Sequence, residues 1–293
     1  MPKETEKSEI SPEMARAMKD RLRLSEAMGM IKHKLVVMSG KGGVGKSTVA
    51  ANLACALAKN AKVGLLDADI TGPDIPMVMG VEGKVPRVVK NKIEPVEGPL
   101  GIKIISMGHV LPSSEAPVIW RGPLKMAALR QFLVDVNWGD LDYLIIDLPP
   151  GTSDEPLSIA QDIPDSEGAI IVTTPQQLSL LDVNKSISFA RAVKLPVLGI
   201  VENMSGYTCP KCGNHEDLFK SGGGKRAAEG LDIPFLGSIP IDPSIVLGGD
   251  SGKPFVLEHP DSPATKAFES VVEKVVKEVE KRKPRPKFKP VGT

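Results

Sequence analysis

A glycine-rich stretch that contains two lysines and a serine is the part of the sequence best suited to chemistry. It fits the spacing G-x-x-x-x-G-K-[ST], which is typical of phosphate-binding loops. Backbone N–H groups in such a loop have no helical partners, so they can surround a polyphosphate. We expect Lys46 to neutralise the β- and γ-phosphates and the Ser47 hydroxyl to help hold Mg²⁺. The predicted nucleotide-binding loop consists of Gly40, Lys41, Gly42, Gly43, Val44, Gly45, Lys46, Ser47 and Thr48.

Lys41 is an additional lysine in this loop, and the phosphate-binding spacing does not require it. A cation at this early position could lie over its own nucleotide or reach across a dimer interface. In the second arrangement it would stabilise negative charge on the transferring phosphoryl group, as an arginine finger does. We therefore predict that Lys41 acts with Lys46 in catalysis.

Two acidic stretches follow predicted strands, where carboxylates can reach a phosphate-bound metal. Asp147 ends an apolar run, as a Walker B aspartate does, and we expect it to hold Mg²⁺ directly or through water. Asp69 is the candidate for orienting the attacking water and for the magnesium shell, with Asp67 in support. Strand-end aspartates can instead cap the next helix, and for Asp67 that alternative is equally good.

Residues that recognise the nucleotide base are expected in the segments that follow the later strands. GTP-binding proteins usually carry N/T-K-x-D after a late strand, but here the run Val197–Val201 leads into Glu202-Asn203-Met204. This difference favours ATP or ADP as the nucleotide. We predict that Asn203, Pro240 and Asp242 line an adenine pocket.

A cysteine pair occurs in the segment Cys209-Pro210-Lys211-Cys212-Gly213, which has the pattern of a metal-binding turn. A zinc ion or a four-iron cluster needs four ligands, and Cys55 is predicted to be a small buried residue. Two subunits could share one cluster through Cys209 and Cys212, or His215 could complete a zinc site with a further ligand. The pair could also be a redox dithiol. We favour the shared cluster because Lys41 already suggests a dimer.

Alternating strand-like and helix-like runs must position these residues, and they predict an α/β fold. The strand-like runs are continuously apolar, which is typical of a mostly parallel, doubly wound sheet with helices on both faces, as in P-loop NTPases. The predicted strands are Leu35–Met38, Lys62–Leu66, Ile102–Met107, Tyr143–Leu148, Ala169–Thr173, Val197–Val201 and Phe235–Ser238. The predicted helices are Ser47–Lys59, Pro123–Val136, Glu155–Gln161, Ser179–Val193, Gly224–Gly230 and Thr265–Lys281.

The chain divides into one large unit with two extensions. Residues 1–33 form a polar extension with a helix from Pro12 to about Met30, residues 34–282 the ATPase domain, and residues 283–293 a basic proline-rich tail. The domain includes a metal loop at about 203–217 and a long, partly irregular connection from Gly72 to Gly101, whose length suggests a binding or switch role. 

Composition sets limits on location and partners. The net charge of +1 gives no general attraction to nucleic acid or membrane, and no apolar run is long enough to span a bilayer. Three cysteines cannot build a disulfide framework, which indicates a reducing compartment. We expect a cytoplasmic protein without a membrane or nucleic-acid partner.

Several motifs together give a specific family resemblance. They are K-G-G-V-G-K-S-T from Lys41, D-A-D-I-T-G-P-D-I-P from Asp67, W-R-G-P from Trp120, D-L-P-P-G-T-S-D from Asp147, T-P-Q-Q from Thr174 and E-N-M-S-G-Y-T-C-P-K-C from Glu202. The sequence resembles the Mrp-type (ApbC-like) iron–sulfur cluster carrier ATPases of the deviant-Walker MinD/ParA superfamily. 

The resemblance implies a homodimer that binds a labile [4Fe–4S] cluster between subunits and passes it to apo iron–sulfur proteins. ATP binding or hydrolysis would regulate loading or release, and zinc could replace the cluster in aerobic preparations. In these relatives the lysine equivalent to Lys41 contacts phosphates of the opposite subunit. The resemblance places Trp120-Arg121 and Gln176-Gln177 near the switches or the dimer surface.

Two other functions share parts of this pattern. A MinD/ParA-like spatial organiser shares Lys41, but its membrane forms use a cationic C-terminal helix. The last helix here mixes glutamates with lysines opposite a valine-rich face, so we predict that it packs on the sheet. A nitrogenase-reductase-like electron donor also shares a cluster between subunits, but its cysteines come from well-separated positions.

Overall fold

The structure is a computed structural model that describes residues 11–109, 122–152, 154–163, 165–209 and 211–282. The first ten residues of the predicted extension, the pair Trp120-Arg121, Pro210 of the metal turn and the tail 283–293 lie outside the described residues. 

The described chain alternates helices and strands. The helices are α1 Pro12–Gly29, α2 Lys46–Ala58, α3 Ile75–Val78, α4 Gly122–Asp135, α5 Asp154–Asp162, α6 Gln177–Ala192, α7 Gly223–Gly230, α8 Pro243–Asp250, α9 Phe255–Glu258 and α10 Pro263–Glu280. The strands are β1 Ile31–Met38, β2 Val63–Asp67, β3 Arg87–Val89, β4 Lys92–Glu94, β5 Val96–Glu97, β6 Lys103–Ser106, β7 Leu141–Asp147, β8 Gly168–Thr173, β9 Val197–Glu202, β10 Tyr207–Thr208, β11 His215–Glu216 and β12 Phe235–Ser238. Two short 3₁₀ turns, Pro99–Gly101 and Met107–His109, flank β6.

One eight-stranded sheet organises these elements, in the order β12-β9-β8-β1-β7-β2-β6-β5. All of its neighbours run parallel except β5, which is antiparallel to β6. Strand β1, which leads into the phosphate-binding loop, lies between β7 and β8. The carboxyl ends of the parallel strands therefore meet at one edge, as the doubly wound prediction requires. The predicted fold class is confirmed.

Apolar side chains cover both faces of the sheet. Helices α2 and α10 bury their apolar residues on one face, while α1, α4 and α6 cover the other. In α10, Phe268, Val271, Val275 and Val279 repeat at helical spacing and are buried. This helix packs on β12, β9 and α2, which confirms the prediction that the last helix covers the sheet. Within the described ranges, no helix is both long and apolar enough to cross a bilayer.

Strand β1 begins at Ile31, four residues before the predicted strand, and the predicted division of the chain at residue 34 stays a prediction. The charged sequence at this point conceals the strand. Lys34 is nevertheless buried, with its Nζ 3.0 Å from a carboxylate oxygen of Asp165. The same ammonium donates to the carbonyls of Met28 and Ile31, at 3.2 and 3.1 Å. These contacts allow a lysine to occupy the interior at the junction with α1.

The connection from Gly72 to Gly101 is more regular than predicted. It contains α3, the antiparallel pair β3–β4 and the edge strand β5. These elements have only two to four residues each, too few to produce a readable period. The sequence analysis did not predict these short elements, and the binding or switch role of the connection stays a prediction.

Candidate nucleotide site and cysteine hairpin

The phosphate-binding loop connects β1 to α2 at the carboxyl edge of the sheet. Gly43 and Gly45 adopt positive φ angles of 75° and 78°, which disfavour any residue with a Cβ. At Gly40, a Cβ would overlap the backbone of Asp182 in α6. Gly45, the N-cap of α2, has no side chain that could cap the helix, which leaves the first N–H groups of α2 suited to an anion.

Lys46 is the first residue of α2, and its side chain is only 6% exposed. Its Nζ lies 2.6 Å from Oδ1 of Asp147, at the end of β7, and 3.1 Å from the Oγ of Ser47. The structure thus brings together the lysine, the hydroxyl and the Walker B aspartate that the sequence predicted as phosphate and magnesium ligands.

Asp147 has the donor atoms that a magnesium site requires. Its carboxylate is completely buried, and Oδ2 has no hydrogen-bond partner among the described residues. An unpartnered buried carboxylate oxygen is costly unless a ligand satisfies it. Mg²⁺ commonly binds through one or two protein oxygens together with phosphate and water, so Asp147 and Ser47 fit this ion.

Asp67 ends β2 at the position paired with Asp147 on the adjacent strand. Its Oδ1 accepts from the backbone N of Asp69 at 3.1 Å, and its Oδ2 accepts from the Oγ of Ser106 at 2.8 Å. Burial, together with the negative charge of Asp147, raises the pKa of Asp67 well above its usual value. Burial also raises the pKa of Asp147, against the opposing charge of Lys46. Asp147 is therefore the better ligand for a cation.

Asp69 lies in the turn after β2 and is 7% exposed. Its Oδ1 accepts from the backbone N atoms of Thr71 and Gly72, at 3.0 and 3.1 Å. These bonds hold the carboxylate at the same sheet edge as the loop. Its assignment to the attacking water and to Mg²⁺ stays a prediction.

Lys41 is half-buried, and within the described part of the chain its ammonium has no carboxylate partner. Its backbone carbonyl accepts from the Oγ of Ser39 at 2.9 Å. The carbonyl of Ser39 in turn accepts from the N of Gly151 at 2.8 Å, which joins the loop to the segment after β7. The backbone around Lys41 is thus fixed.

The three residues predicted to line an adenine pocket differ in what they contact. Asn203, just after β9, donates from Nδ2 to the carbonyl of Val44 at 2.9 Å, so it touches the phosphate-binding loop. Asp242 caps α8, with its Oδ1 2.9 Å from the backbone N of Ser244. Pro240 is half-buried beside Ile239, which follows β12. Capping gives Asp242 a structural role that the sequence analysis missed, and the pocket itself stays a prediction.

The cysteine pair lies in a small hairpin, β10–β11, that follows β9 outside the main sheet. Cys209 is half-buried and Cys212 exposed, and the N of Gly213 donates to the carbonyl of Cys209 at 2.9 Å. Hydrogen bonds from the backbone N–H groups of Cys212 and Lys211 lower the pKa of Cys209, which favours a thiolate ligand. The pair occupies a turn rather than a helix start, as the sequence suggested.

The remaining cysteine and the nearby histidine do not join this pair. Cys55 is buried in α2, where its Sγ lies 3.9 Å from the Sδ of Met79. His215 contacts Thr208 through Nδ1 at 3.2 Å and Asp217 through Nε2 at 3.4 Å. Across the described ranges, no three His, Cys, Asp or Glu side chains are grouped to hold a metal ion. A single copy therefore offers two thiols at this hairpin.

Glu202, the last residue of β9, is a site residue that the sequence analysis did not select. Its carboxylate is buried and accepts three hydrogen bonds from both sides of the cysteine hairpin. The signal in the sequence was an acidic residue at the end of an apolar strand, which also identified Asp67 and Asp147. The sequence analysis considered the segment Glu202-Asn203-Met204 only for recognition of the nucleotide base.

Comparisons with known proteins identify the family of the chain. A family model of the ParA type, described as "NUBPL iron-transfer P-loop NTPase", matches residues 30–276. An iron-sulfur cluster carrier protein of Saccharolobus solfataricus is 51% identical over 260 residues, 88% of each chain. A protein of the same name from Methanocaldococcus jannaschii is 52% identical over 262 residues, 89% of this chain and 90% of the relative.

Solved structures support the same assignment. A nucleotide-binding protein from Archaeoglobus fulgidus, in complex with ADP, is 42% identical with a TM-score of 0.74, covering 85% of this chain and 96% of its own. The cell division ATPase MinD of Pyrococcus furiosus is 26% identical with a TM-score of 0.62, covering 84% and 98%. Together with the loop, the Walker B aspartate and the fold, these matches show that the chain belongs to the ParA-type family of NUBPL iron-transfer P-loop NTPases.

Proposed function

We propose that this protein is an ATP-dependent carrier of a [4Fe–4S] cluster, which two copies of the chain hold between them and deliver to apo iron–sulfur proteins. The observation that carries the proposal is the exposed hairpin with Cys209 and Cys212, linked through Asn203 to a phosphate-binding loop. A four-iron cluster needs four thiolates and each chain offers two at this hairpin, so a symmetric pair completes the ligand set. The relatives named as iron-sulfur cluster carriers support this cargo.

The nucleotide site would bind ATP and hydrolyse it slowly. Lys46 and the N–H groups at the start of α2 bind the phosphates, and Asp147 with Ser47 would hold Mg²⁺. The ion would neutralise negative charge on the phosphates as the phosphoryl group is transferred. Asp69 orients the attacking water, and Lys41 reaches the transferring phosphoryl group from the partner copy. Asn203, Pro240 and Asp242 line the adenine pocket. 

The cluster is cargo rather than a resident cofactor, so access to the hairpin matters. Cys212 is exposed and Cys209 half-buried, which leaves the sulfur atoms open to a recipient. Zinc would bind the same thiolates in place of the cluster when iron and sulfide are absent. The scarcity of cysteine suits a reducing compartment, and we place the carrier in the cytoplasm.

Anaerobic reconstitution with ferrous iron and sulfide tests this function. We expect about four irons and four sulfides per dimer, from two thiolates in each chain, with a dimer on a sizing column. Cys209→Ala should lose both the iron and the visible absorbance, while Cys55→Ala should keep them because Cys55 is buried in α2. A monomer that binds stoichiometric zinc and no iron would overturn the proposal.

Transfer is measured in a second step. The loaded dimer is mixed with an apo ferredoxin of the four-iron type, and the recipient is separated and assayed for iron. We expect the recipient to gain its cluster, with a rate that changes when ATP and Mg²⁺ are added. No gain of iron by the recipient would show that the cluster is not cargo.

A further inference from the structure

Glu202 holds the two ends of the segment that carries the cysteines. Its Oε1 accepts from the Oγ of Ser205 at 2.6 Å, on the side that enters the hairpin. The same oxygen accepts from the N of Gly222 at 2.9 Å, and Oε2 accepts from the N of Gly224, on the side that leaves it. The carboxylate is buried, so these bonds are protected from water. One side chain therefore fixes the base of the hairpin.

The next residue, Asn203, contacts the nucleotide site. Its backbone N donates to the carbonyl of Thr173 at 2.7 Å, which fixes it against β8. Its Nδ2 donates to the carbonyl of Val44 in the phosphate-binding loop at 2.9 Å. A Cβ at Gly45 would overlap this same amide group, so the loop and Asn203 are in close contact. Two consecutive residues thus join the phosphate-binding loop to the base of the cysteine hairpin.

The entering side of the hairpin is fixed to the segment that follows β12. The backbone N of Ser205 donates to the carbonyl of Ile239 at 2.9 Å, and the N of Ile241 donates to the carbonyl of Gly206 at 2.8 Å. The leaving side reaches α7 directly through Gly222 and Gly224. The two sides pair with each other in β10–β11, and at the base of the hairpin they share the Glu202 carboxylate as an acceptor. A shift of this carboxylate therefore changes the position of one side relative to the other.

We propose that Glu202 is a positioning residue that couples nucleotide binding to the arrangement of the cysteine hairpin, through its bonds to Ser205, Gly222 and Gly224 and its neighbour Asn203. Phosphate binding draws the loop N–H groups inward and moves the Val44 carbonyl, which Asn203 follows. Glu202 transfers this movement to the hairpin base. Coupling of this kind requires the nucleotide to have different affinities for the two hairpin arrangements. The inference rests on the proposed function, because it concerns how nucleotide would control the cluster thiols.

The rate at which N-ethylmaleimide modifies the apo protein tests the coupling. Peptide mass spectrometry separates Cys209 and Cys212 from Cys55, which is buried and serves as an internal control. With ATP and Mg²⁺ we expect the labelling rate of the pair to change by about fivefold, the lower range of allosteric coupling. In Glu202→Gln, we expect the ratio of the labelling rates with and without ATP to fall to about one, because the hairpin base loses one acceptor. ATP should still bind to this variant.

A matched control uses the same substitution on the same hairpin. Glu216 lies in β11, is exposed, and its Oε1 accepts from the Nδ2 of Asn214 at 3.2 Å. Glu216→Gln removes one charge near the thiols without touching the hairpin base. We expect it to change the absolute labelling rate but to keep the ratio with and without ATP.

A milder variant keeps the proposal testable if Glu202→Gln fails to fold. Ser205→Ala removes only the hydroxyl donor and should reduce the ATP effect in part, while Ser205→Thr keeps the hydroxyl and should restore it. The proposal is overturned if ATP does not change the labelling rate of the wild-type protein. It is also overturned if ATP changes the labelling rate of the Glu202→Gln and Ser205→Ala variants as much as that of wild type. Because labelling needs no cluster, failed iron loading would reject the carrier function alone and leave this result intact.

Discussion

Lys46 and Asp147 form a buried ion pair, with 2.6 Å between Nζ and Oδ1. The side chains are 6% and 0% exposed, so neither charge has water to replace its partner. A phosphate in the loop must compete with Asp147 for this ammonium. The pair therefore links the stability of the chain to its nucleotide site.

Replacing Lys46 tests this link. Lys46→Ala should abolish ATP binding and also lower the free energy of unfolding by about 3 kcal/mol, since Asp147 is left as an uncompensated buried carboxylate. Calorimetric ATP titration and urea unfolding measure the two effects. Lys41→Ala is the control for stability and should stay within about 0.5 kcal/mol of wild type. An unchanged unfolding free energy in Lys46→Ala would contradict the role given to the pair.

Lys41 should matter for hydrolysis rather than for binding. We expect Lys41→Ala to lower the ATP turnover number by about 10³-fold, as loss of a cation at the transferring phosphoryl group does. Its Kd for ATP should change by less than about tenfold, which corresponds to 1.4 kcal/mol. Steady-state phosphate release and titration give the two quantities. If Lys41→Ala and Lys46→Ala lose binding equally, the assignment of Lys41 is wrong.

Two loop glycines form a matched pair for the contact with Asn203. Gly43 and Gly45 have nearly equal positive φ angles, but a Cβ at Gly43 meets nothing within 4 Å, whereas one at Gly45 overlaps the Asn203 amide. Gly43→Ala should lower the free energy of unfolding by about 1–2 kcal/mol from backbone strain alone. Gly45→Ala should cost about 1–3 kcal/mol more because of the overlap. Equal losses of unfolding free energy in the two variants, measured by urea unfolding, would show that the contact between Gly45 and Asn203 does not affect stability.

His109 should make stability depend on pH. Burial lowers the pKa of His109 from 6.5 to about 4, and Nε2 has no partner among the described residues. As the pH falls from 6.5 to about 4, His109 becomes protonated in the unfolded chain but stays neutral in the folded chain. The free energy of unfolding therefore decreases in this window. His109→Asn keeps an acceptor for the N of Ser106 and should lose less stability over the same window. Urea unfolding at several pH values measures both slopes, and equal slopes would contradict the prediction.

The sequence predicted the main sheet because its strands are continuously apolar. All seven predicted strands are present, and Phe235–Ser238 has the predicted bounds. It did not predict the pairing order, since that depends on which helices cover which face rather than on local pattern. Elements of two to four residues, such as β5 and α3, were missed because they have no period.

The candidate site was predictable where residue type and position both matter. Lys46, Ser47 and Asp147 are together because a glycine loop and a strand-end aspartate occupy the same sheet edge. The cap at Asp242 and the hairpin contacts of Glu202 depend on neighbours distant in the chain, so the sequence left them open. Burial of Lys34 was equally hidden, because its partners are backbone carbonyls and Asp165.

The hairpin that carries Cys209 and Cys212 begins and ends at one carboxylate oxygen, since Ser205 and Gly222 both donate to Oε1 of Glu202. The intervening segment is therefore an insertion whose ends already meet, outside the eight-stranded sheet. Insertions with adjacent ends can be removed or exchanged with little effect on the surrounding domain. The proposed metal-binding function would thus be modular: a shortened junction would leave the nucleotide site alone, and a different insert would give the same domain a different proposed cargo.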